Sequence, residues 1–296
     1  MIDNQRLGTL ALKVLVTGGS GFFGQNLINE LSKSRHLQIT CLSRNPQKNF
    51  RNVNWVQGDL TNNDLLSNLG KQEFRKLYHL AWDGLPNRSI EFSELNLNNS
   101  KRLIENLVNK NDIELNIIGS CLEYGDIDGY IDDESIPNGK DSFAVAKIKL
   151  NQYVSKLGVP YRWYRPFFVY GLGQNREALI PCLLRSLKNN EPLNIKSISN
   201  SHDFVSVSDV VKAIILSSNL NSIMGEINIG TGVLTTVGDI VSAFYKQFSL
   251  TFEMDFDRNP GLVSNSSKLK GIAGWEPEFT GISGILNYYN KLGEFK

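Results

Sequence analysis

Short apolar runs alternate with helix-patterned segments through the first half of this chain of 296 residues. The runs with the length of strands are LKVLVTG, LQITCLS, KLYHLAW and ELNIIGS, and between them lie the helical patterns NLINELSKS, LLSNLG and LIENLVNK. Strands separated in this way by helices are typical of parallel sheets whose two faces are covered. The alternation therefore predicts an α/β fold built on a doubly wound parallel sheet.

The second half follows this pattern less strictly. A long helix is predicted from about Ser142 to Leu157, and VPYRWYRPFFVYG after it is predicted to be one strand that ends in a turn. From Gly171 onward the segments are mixed, among them ALIPCLLRSLKNN and DFVSVSDVVKAIILSS. We expect a sheet domain over residues 1–170 and a smaller lobe over 171–296, from which segments near 203–230 return to the sheet.

Charge and composition argue against several classes of protein. The net charge is +1 at pH 7 with acidic and basic residues interleaved, so no nucleic-acid surface is predicted. Apolar runs stay far below the ~20 residues that cross a bilayer, and residues 1–10 lack a secretory core, which favours a cytoplasmic protein without membrane contact. Three scattered cysteines and three histidines predict reduced thiols and no metal site. His79, in a predicted strand, is expected to be a core histidine.

The first strand leads into a glycine-rich loop, VLVTGGSGFFGQNLI, which contains Gly18, Gly21 and Gly24. Glycine permits a tight turn there and lets the backbone approach a pyrophosphate, whose charge the amides at the start of the next helix stabilise. Because a strand precedes the loop and a helix follows it, a dinucleotide site is favoured. A tight turn that binds nothing is the alternative.

The end of the second strand predicts which dinucleotide is bound. An acidic residue there would hold the ribose 2′-hydroxyl of NAD, but this chain has CLSRNP. Ser43 and Arg44 can hydrogen-bond and neutralise a 2′-phosphate, which favours NADP(H), and a solvated turn residue is the alternative for Arg44. Asp59, in VQGDLTN, either accepts from the adenine amino group or caps the next helix.

Several motifs occur together: TGGSGFFG, GDLT, HLAW, GSCLEYG, FAVAK and RPFFVYGLGQ, followed by SHDFVSVSDVVKAI, INIGTGVLTTVGDIV and SSKLKGIAGWEP. In this order and spacing they resemble the extended short-chain dehydrogenase/reductase family, in particular its nucleotide-sugar epimerases, dehydratases and 4-ketoreductases. The resemblance implies a Rossmann domain, a smaller C-terminal substrate-binding lobe and a homodimer formed by two helices of the sheet domain. It also implies cofactor contacts from Phe22, Phe23, Leu60, Leu80, Ala81, Pro166 and Phe167.

Catalysis in that family uses a Ser or Thr in S-x-x-x-Y-G and the Tyr and Lys of Y-x-x-x-K. By position the first is Ser120 and the lysine is Lys147, and a spacing of four brings the tyrosine and lysine positions onto one helix face. The resemblance implies that the lysine lowers the phenol pKa from about 10 and holds the nicotinamide ribose, and that the serine hydrogen-bonds the reacting oxygen. In this chain the tyrosine position is Phe143, which has no proton to give.

Phe143 can be interpreted in two ways. Together with Leu150, Val154 and Leu157 it forms an apolar stripe at helical spacing, which by itself predicts core. Lys147 lies on the same stripe, however, and a buried ammonium needs partners that the ribose oxygens of a cofactor would supply. We therefore place Phe143 at the catalytic tyrosine position.

A phenylalanine at this position has two explanations. We favour a deliberate Tyr-to-Phe substitution that traps a bound complex, because a single oxygen is missing while Ser120 and Lys147 remain. The other is a natural variant that has lost catalysis or has moved its acid to Cys121, Glu123 or Tyr124.

The resemblance and Arg44 together favour NADPH-dependent reduction of a 4-keto-6-deoxyhexose attached to dTDP or CDP. Family dehydratases have an Asp-Glu pair after the catalytic Thr, whereas Cys121 and Leu122 follow Ser120 here, which disfavours a dehydratase. A nucleotide-sugar 4-epimerase is one alternative. The other is a non-catalytic NADP-binding sensor, since some members of the wider family have lost the tyrosine.

The substrate side is predicted from segments that the family places near the sugar and the diphosphate. Trp82 and Asp83 would line the hexose, with packing as the alternative for Trp82. The family often has Arg before DF in the C-terminal half to pair with the diphosphate, and His202 in its place shifts that task toward Arg176 or Arg258. The predicted substrate contacts are Trp82, Asp83, Cys121, Asn175, Arg176, His202 and Arg258.

Overall fold

The structure is a computed structural model that describes residues 11–47, 50, 52–85, 88–109, 111–193, 195 and 197–295. Residues 1–10, which the sequence indicates to lack a secretory core, lie outside the described residues. Pro86 and Asn87 of the segment HLAWDGLPNR also lie outside them.

Strands and helices alternate along the described chain. The strands are β1 (Leu12–Thr17), β2 (Leu37–Ser43), β3 (Val53–Gln57), β4 (Lys76–His79), β5 (Glu114–Ile118), β6 (Gly129–Ile131), β7 (Tyr161–Pro166), β8 (Phe168–Tyr170), β9 (Ser201–Ser206), β10 (Gly225–Ile229), β11 (Leu234–Thr236) and β12 (Leu262–Ser264). The helices are α1 (Phe22–Leu31), α2 (Asn63–Gly70), α3 (Ile90–Val108), α4 (Ser142–Val154), α5 (Leu179–Asn189), α6 (Val207–Ser218), α7 (Val237–Gln247), α8 (Ser267–Ala273) and α9 (Gly281–Lys291). A short 3-10 helix, Cys121–Tyr124, follows β5.

The large sheet has seven parallel strands in the order β10-β7-β5-β4-β1-β2-β3. In its centre, Val16 of β1 pairs with Cys41 of β2 on one side and with Tyr78 of β4 on the other. The predicted doubly wound parallel sheet is thereby confirmed. The strand order reverses at β1 and β4, and in such sheets ligands bind in the crevice outside the carboxyl ends of the strands at this point.

Helices cover both faces of this sheet. Val14 and Val16 belong to the apolar cluster that includes α1 and α6, whereas Leu15 belongs to the cluster that includes α2, α3 and α4. Successive strand residues face opposite sides, so both clusters bury β1, and all three side chains are at most 1% exposed. This burial on both faces explains the continuous apolar run in the sequence.

Two small sheets, together with α5, α7 and α9, lie outside the large sheet and are called the smaller lobe below. They include β6 and β8, which precede residue 171. β8 pairs in parallel with β9, β9 pairs antiparallel with β11, and β6 pairs with β12. Side chains of α5, α7 and α9, among them Ile240 of α7 and Tyr288 of α9, share a core with Phe204 of β9. After β9, α6 packs on the large sheet, and β10 pairs with β7 as an edge strand of that sheet.

The segment VPYRWYRPFFVYG, predicted to be one strand, forms two strands in two sheets, so that prediction is wrong. β7 ends at Pro166 in the large sheet, and β8 begins at Phe168 in the small one. Phe167 between them is buried and donates its N–H to the carbonyl of Ile229. Proline has no N–H to donate to a ladder, so the chain can leave the large sheet at this residue.

Candidate active site

A cavity of about 430 Å3 opens at the carboxyl ends of β1 to β4, where the strand order reverses. Its walls are the glycine-rich loop, the ends of β2, β3 and β4, and one side of α3. The lining residues are Thr17, Gly18, Ser20, Gly21, Leu42, Ser43, Arg44, Gly58, Asp59, Leu60, Thr61, Leu80, Ala81, Trp82, Asp83, Leu95, Asn96 and Asn99. This is the position at which doubly wound sheets bind their ligands.

The glycine-rich loop leaves room for a ligand at the start of α1. Gly18 has φ +74°, and a Cβ there would lie 2.7 Å from the backbone nitrogen of Ala81. A Cβ on Gly24 would lie 2.5 Å from the Cα of Gly19. Gly21 is the N-cap residue of α1, and among the described residues no side chain caps this helix. The first amides of α1 are therefore available to an anion, and the loop fits a pyrophosphate.

Phe22 and Phe23 begin α1, and neither residue is among the described residues that line the cavity. The two rings contact each other at a centroid distance of 5.3 Å, and Phe23 also packs against the core cluster. The cofactor contacts expected of Phe22 and Phe23 therefore stay a prediction.

Arg44, expected to bind a 2′-phosphate, is paired with Asp83 at the cavity wall. Its terminal nitrogens donate to the two carboxylate oxygens of Asp83 at 2.9 and 3.0 Å, and its Nε lies 3.9 Å from Asp59. The hydrogen bonds from Arg44 lower the pKa of the Asp83 carboxyl. The Ser43 hydroxyl donates to Ser20 of the glycine-rich loop at 2.7 Å. Asp83, expected to line the hexose, lies instead with the residues expected to bind the cofactor.

Asp59, Leu60, Leu80 and Ala81 all line the cavity. Asp59 accepts a hydrogen bond of 2.9 Å from the N–H of Thr61, so it stabilises the turn that precedes α2. Asp59 does not cap α2, as the alternative expected, because the N-cap is Asn62, whose side chain accepts from the N–H of Leu65 at 3.0 Å. The second carboxylate oxygen of Asp59, 3.9 Å from Arg44, lies at the cavity wall.

The α3 wall of the cavity is absent from the sequence predictions. Asn96 is 7% exposed, accepts from the N–H of Asp83 at 2.7 Å and donates to its carbonyl at 2.9 Å. Asn99, one turn later, also lines the cavity. Two asparagines three residues apart, on a buried helix face that also contains Ser93 and Ser100, are the signal that could have revealed this wall.

Phe143 and Lys147 lie one turn apart on α4, and both contact Trp82. The Phe143 ring meets the Trp82 indole edge to face at a centroid distance of 5.5 Å, and Arg88 lies 5.5 Å from the Phe143 centroid. Lys147 Nζ lies 4.0 Å from the Trp82 ring centroid and donates at 2.6 Å to the carbonyl of Ile118. Trp82 lines the cavity, and its indole covers the ammonium, so a ribose could reach Lys147 only after Trp82 moves.

Lys147 is 5% exposed, and burial lowers its pKa from the ordinary 10.5 to about 7 against the opposing effect of the Glu123 carboxylate. Burial has this effect because a low dielectric disfavours the charged form. The indole face and one carbonyl are modest partners for an ammonium in such a place. This lysine can therefore gain or lose a proton near neutral pH.

Ser120 follows β5 and is positioned by a buried ion pair. Its Oγ accepts from the N–H of Leu122 at 3.2 Å, and its own N–H donates to Glu123 at 2.8 Å. Glu123 also accepts from Arg165 Nε at 2.8 Å and from the indole N–H of Trp163. Glu123 and Arg165 are 0% and 1% exposed. The buried ion pair of Glu123 and Arg165 thus holds the short helix after β5 in place.

The three residues named as substitute acids are buried in these interactions. Burial raises the pKa of Cys121 and of Tyr124 to about 12. The Tyr124 hydroxyl donates to Asn228 at 2.7 Å, and Glu123 is ion-paired with Arg165. These contacts argue against all three as a replacement for the missing phenol.

Cys121, Pro166 and Phe167 also lie apart from the cavity lining. Cys121 is 2% exposed and packs with Phe167 and Leu262, and this burial argues against the expected contact with substrate. Pro166 is buried at the end of β7. Pro166 and Phe167 belong to the junction between the two sheets, and their expected contacts with the nicotinamide stay a prediction.

A second cavity of about 320 Å3 lies in the smaller lobe. Its lining consists of Phe168, Glu177, Leu179, Cys182, Leu193, Ile195, Ser197, His202, Phe204 and Val237. The His202 ring stacks on Phe168 with centroids 3.7 Å apart, and burial lowers the pKa of His202 to about 4. A neutral imidazole in this position offers a planar stacking surface and not the charge that an arginine would offer.

The other predicted substrate residues lie outside both cavities. Asn175 and Arg176 are exposed, and Asn175 accepts from the N–H of Glu177 at 3.0 Å. Arg258 is 66% exposed and pairs with Asp239 at 2.7 Å. The structure thus shows Arg258 with an acidic partner of its own, which weakens its expected role toward a diphosphate.

His79 is a core histidine with both ring nitrogens satisfied, as predicted. Nδ1 lies 2.7 Å from Thr17 Oγ1, Nε2 lies 2.8 Å from Ser100 Oγ, and burial lowers the pKa of His79 to about 3.

Among the described residues, no helix has the length and apolar character to span a membrane. Within the same ranges, no three His, Cys, Asp or Glu side chains are placed to hold a metal ion.

Known proteins resemble this chain over nearly its whole length. A model of the NAD dependent epimerase/dehydratase family matches residues 14–230. The GDP-6-deoxy-D-talose 4-dehydrogenase of Aggregatibacter actinomycetemcomitans is 28% identical, over 96% of this chain and 99% of the relative. The dTDP-4-dehydro-6-deoxyglucose reductase of Escherichia coli is 23% identical, over 89% and 92%.

A solved structure of dTDP-glucose 4,6-dehydratase from Bacillus anthracis str. Ames, in complex with NAD, is also similar. It has a TM-score of 0.80 and 21% identity, over 96% of this chain and 98% of that one. At this identity the likeness shows the fold alone.

Proposed function

The chain belongs to the NAD dependent epimerase/dehydratase family, and we propose that it reduces the 4-keto group of a nucleotide-activated 4-keto-6-deoxyhexose with NADPH. Relatives that are a 4-dehydrogenase and a 4-dehydro-sugar reductase support a nucleotide-sugar oxidoreductase. The observation that carries the proposal is the pair on α4, where buried Lys147 follows Phe143 by one turn beside the Trp82 wall of the cavity.

The residues of the cavity fit a nicotinamide dinucleotide. Gly18, Gly21 and the first amides of α1 would hold the pyrophosphate. Lys147, which lies behind the Trp82 indole, would hold the nicotinamide ribose after that indole moves aside. Arg44 at the cavity wall supports NADPH, because a guanidinium can bind a 2′-phosphate in a bidentate way. When bound, the nicotinamide supplies the hydride for the carbonyl carbon.

The chain's own groups would orient and polarise the sugar carbonyl. Ser120 accepts from Leu122, which leaves its hydroxyl proton to donate to the carbonyl oxygen. Phe143 offers a ring but no proton. We therefore propose that this form binds its ligands and turns over slowly, as a Tyr-to-Phe substituted protein would.

The second cavity is proposed as the site that binds the base of the nucleotide, which is dTDP or CDP. A planar base can stack where His202 and Phe168 present their rings. Arg176, adjacent in sequence to the lining residue Glu177, is proposed to meet the diphosphate. Trp82 lines the first cavity and would lie between cofactor and hexose.

Restoring the phenol tests this function. For Phe143→Tyr we expect NADPH oxidation with a nucleotide 4-keto sugar to rise by about 10²–10⁴-fold, the usual contribution of a positioned acid. The control Phe248→Tyr adds the same oxygen to a half-buried ring of the smaller lobe and should leave the rate unchanged. Turnover that stays at zero in Phe143→Tyr across dTDP, CDP, GDP and UDP 4-keto sugars would contradict the proposal.

A sensor that binds NADP without a sugar nucleotide is the second candidate, favoured by the absent phenol at position 143. Thermal shift distinguishes the two, because a ligand of the folded state raises the melting temperature. The reductase predicts stabilisation by NADPH and also by dTDP or CDP. Stabilisation by NADPH alone would favour the sensor, and a 4-epimerase would be indicated by interconversion of two sugar nucleotides without net NADPH oxidation.

A homodimer through α3 and α4 is also proposed. The two helices pack side by side, and their exposed residues include Glu94, Glu105 and Lys149. A contact built from such charges would weaken with salt. Light scattering at low and high ionic strength would test it, and a monomer at both would exclude the dimer.

A further inference from the structure

Trp82 and Asp83, two consecutive residues after β4, contact Lys147 and Arg44. In the proposed function these two cations bind the cofactor. The Trp82 indole covers Lys147 Nζ at 4.0 Å, and both carboxylate oxygens of Asp83 accept from Arg44 at 2.9 and 3.0 Å. A nicotinamide dinucleotide with a 2′-phosphate needs the Arg44 guanidinium for that phosphate. The Asp83 carboxylate and the phosphate therefore require the same donor groups.

Asp83 is held in this position by its backbone. The buried amide of Asn96 accepts from the Asp83 N–H at 2.7 Å and donates to the Asp83 carbonyl at 2.9 Å. The carboxylate thus extends from a fixed point on the wall, and its contact with Arg44 does not depend on a freely moving loop.

The charges at this corner oppose a phosphate. Arg44 is the one cation there among the described lining residues, and it faces Asp83 together with Asp59, whose carboxylate is 3.9 Å from Arg44 Nε. A phosphate that carries about two negative charges would meet two carboxylates. A ribose 2′-hydroxyl, in contrast, can donate a hydrogen bond to a carboxylate.

We propose that Asp83 is the residue that sets the choice between NADP(H) and NAD(H), by competing with the 2′-phosphate for Arg44 and by accepting from the 2′-hydroxyl. This inference rests on the proposed function, since it requires a nicotinamide dinucleotide in the cavity. The end of β2 has Ser43 and Arg44 and no acidic residue for the ribose 2′-hydroxyl. In this inference Asp83, after β4, supplies that carboxylate.

The test measures dissociation constants of NADPH and NADH by nicotinamide fluorescence, with no sugar present. In Asp83→Asn, NADPH should bind about threefold to fivefold more tightly, the range for loss of a half-exposed ion pair, while NADH binds equally or more weakly. The Kd ratio of NADH to NADPH should therefore rise at least threefold. A ratio that stays unchanged would overturn the role of Asp83.

The matched control is Asp112→Asn, which removes an exposed carboxylate paired with Arg75 at 2.6 Å and changes net charge equally. The Kd ratio should not move in this control, and an equal rise would show an effect of overall charge and overturn the proposal. In Arg44→Ala, adding Asp83→Asn should tighten NADPH less than it does with Arg44 present, because only the direct repulsion between carboxylate and phosphate is then removed. An undiminished gain would also overturn the proposal. Binding of neither nucleotide to the native protein would refute the proposed function and this inference together, whereas binding of both with an unmoved ratio refutes this inference alone.

Discussion

The two ends of the crevice differ in what they present to a ligand. At the β1 end, Gly18 and Gly21 of the glycine-rich loop line the cavity beside Ser20, and the amides that begin α1 are available. At the α4 end, Phe143 supplies a phenyl ring and Lys147 is covered by Trp82. In the proposed function, binding and proton transfer would therefore lie on separate elements, so that one could be kept while the other is reduced.

The buried residues that support the α4 end of the crevice nevertheless form a connected set of contacts. Glu123 and Arg165 form a fully buried ion pair that also fixes the backbone of Ser120. A buried pair adds little net stability and is costly to break from one side. This pair supports our proposal that Phe143 is a local change at a site whose geometry is otherwise maintained.

The largest expected effect is on this scaffold. Glu123→Gln should lower the free energy of unfolding by about 3–5 kcal/mol, because it leaves the Arg165 guanidinium buried without a counter-charge. Urea unfolding followed by circular dichroism measures the change. The matched control is Glu276→Gln, whose partner Lys270 is exposed, and it should leave the urea midpoint unchanged.

A loss below about 1 kcal/mol in Glu123→Gln would mean that the pair is replaceable and that Ser120 is not positioned by it. In that case the two ends of the crevice would differ in scaffold as well as in chemistry.

The next effect falls on the β1 end. A Cβ at Gly24 would lie 2.5 Å from the Cα of Gly19 and closer still to the carbonyl oxygen of Gly18, so Gly24→Ala must displace the loop. Overpacking of this kind costs roughly 1–3 kcal/mol, and NADPH should bind about tenfold to hundredfold more weakly. Fluorescence titration with NADPH measures this change.

Gly271→Ala provides the comparison for Gly24→Ala, because a Cβ at Gly271 meets open space on α8. It should leave the NADPH dissociation constant unchanged. If Gly24→Ala also leaves that constant unchanged, the pyrophosphate does not lie on this loop and the β1 end is not the binding end.

The fold was predictable because its strongest signals are local. Helices cover both faces of β1, so its sequence is continuously apolar, and the glycines after it are required where backbone meets backbone, as at Gly18 and Ala81. The division of VPYRWYRPFFVYG into β7 and β8 was not predictable from apolar character, because strands of both sheets share it. The proline within the segment is the physical cause of the break and was the available signal.

The site was predictable where a motif fixes a backbone position and not where a side chain chooses a distant partner. Lys147 lies one turn after Phe143 because of helix geometry, but its contact with Trp82 depends on how the loop after β4 folds. The pairing of Arg258 with Asp239 likewise joins residues 19 positions apart on different elements. Such contacts depend on tertiary packing, which spacing in the sequence does not encode.

The smallest effect concerns the proton on Lys147. Its pKa is about 7 in the folded protein and 10.5 ordinarily, so between these values the unfolded chain binds more protons than the folded one. Stability should therefore rise with pH above 7, by roughly 1 kcal/mol per pH unit up to about pH 9, and this contribution should be flat below pH 7. Lys147→Met removes the titrating group and should remove this part of the slope, measured by urea unfolding at pH 6, 7, 8 and 9.

Lys149→Met is the control on the same helix, since Lys149 is exposed and its loss should preserve the slope of the native protein. Equal slopes in native protein and Lys147→Met would contradict the burial of the ammonium. Repeating the native profile with saturating NADPH sharpens the comparison of the two ends, because a ribose hydroxyl that replaces the indole as partner would favour the charged lysine. The rise in stability would then begin at a higher pH, which would connect the α4 end to the ligand held at the β1 end.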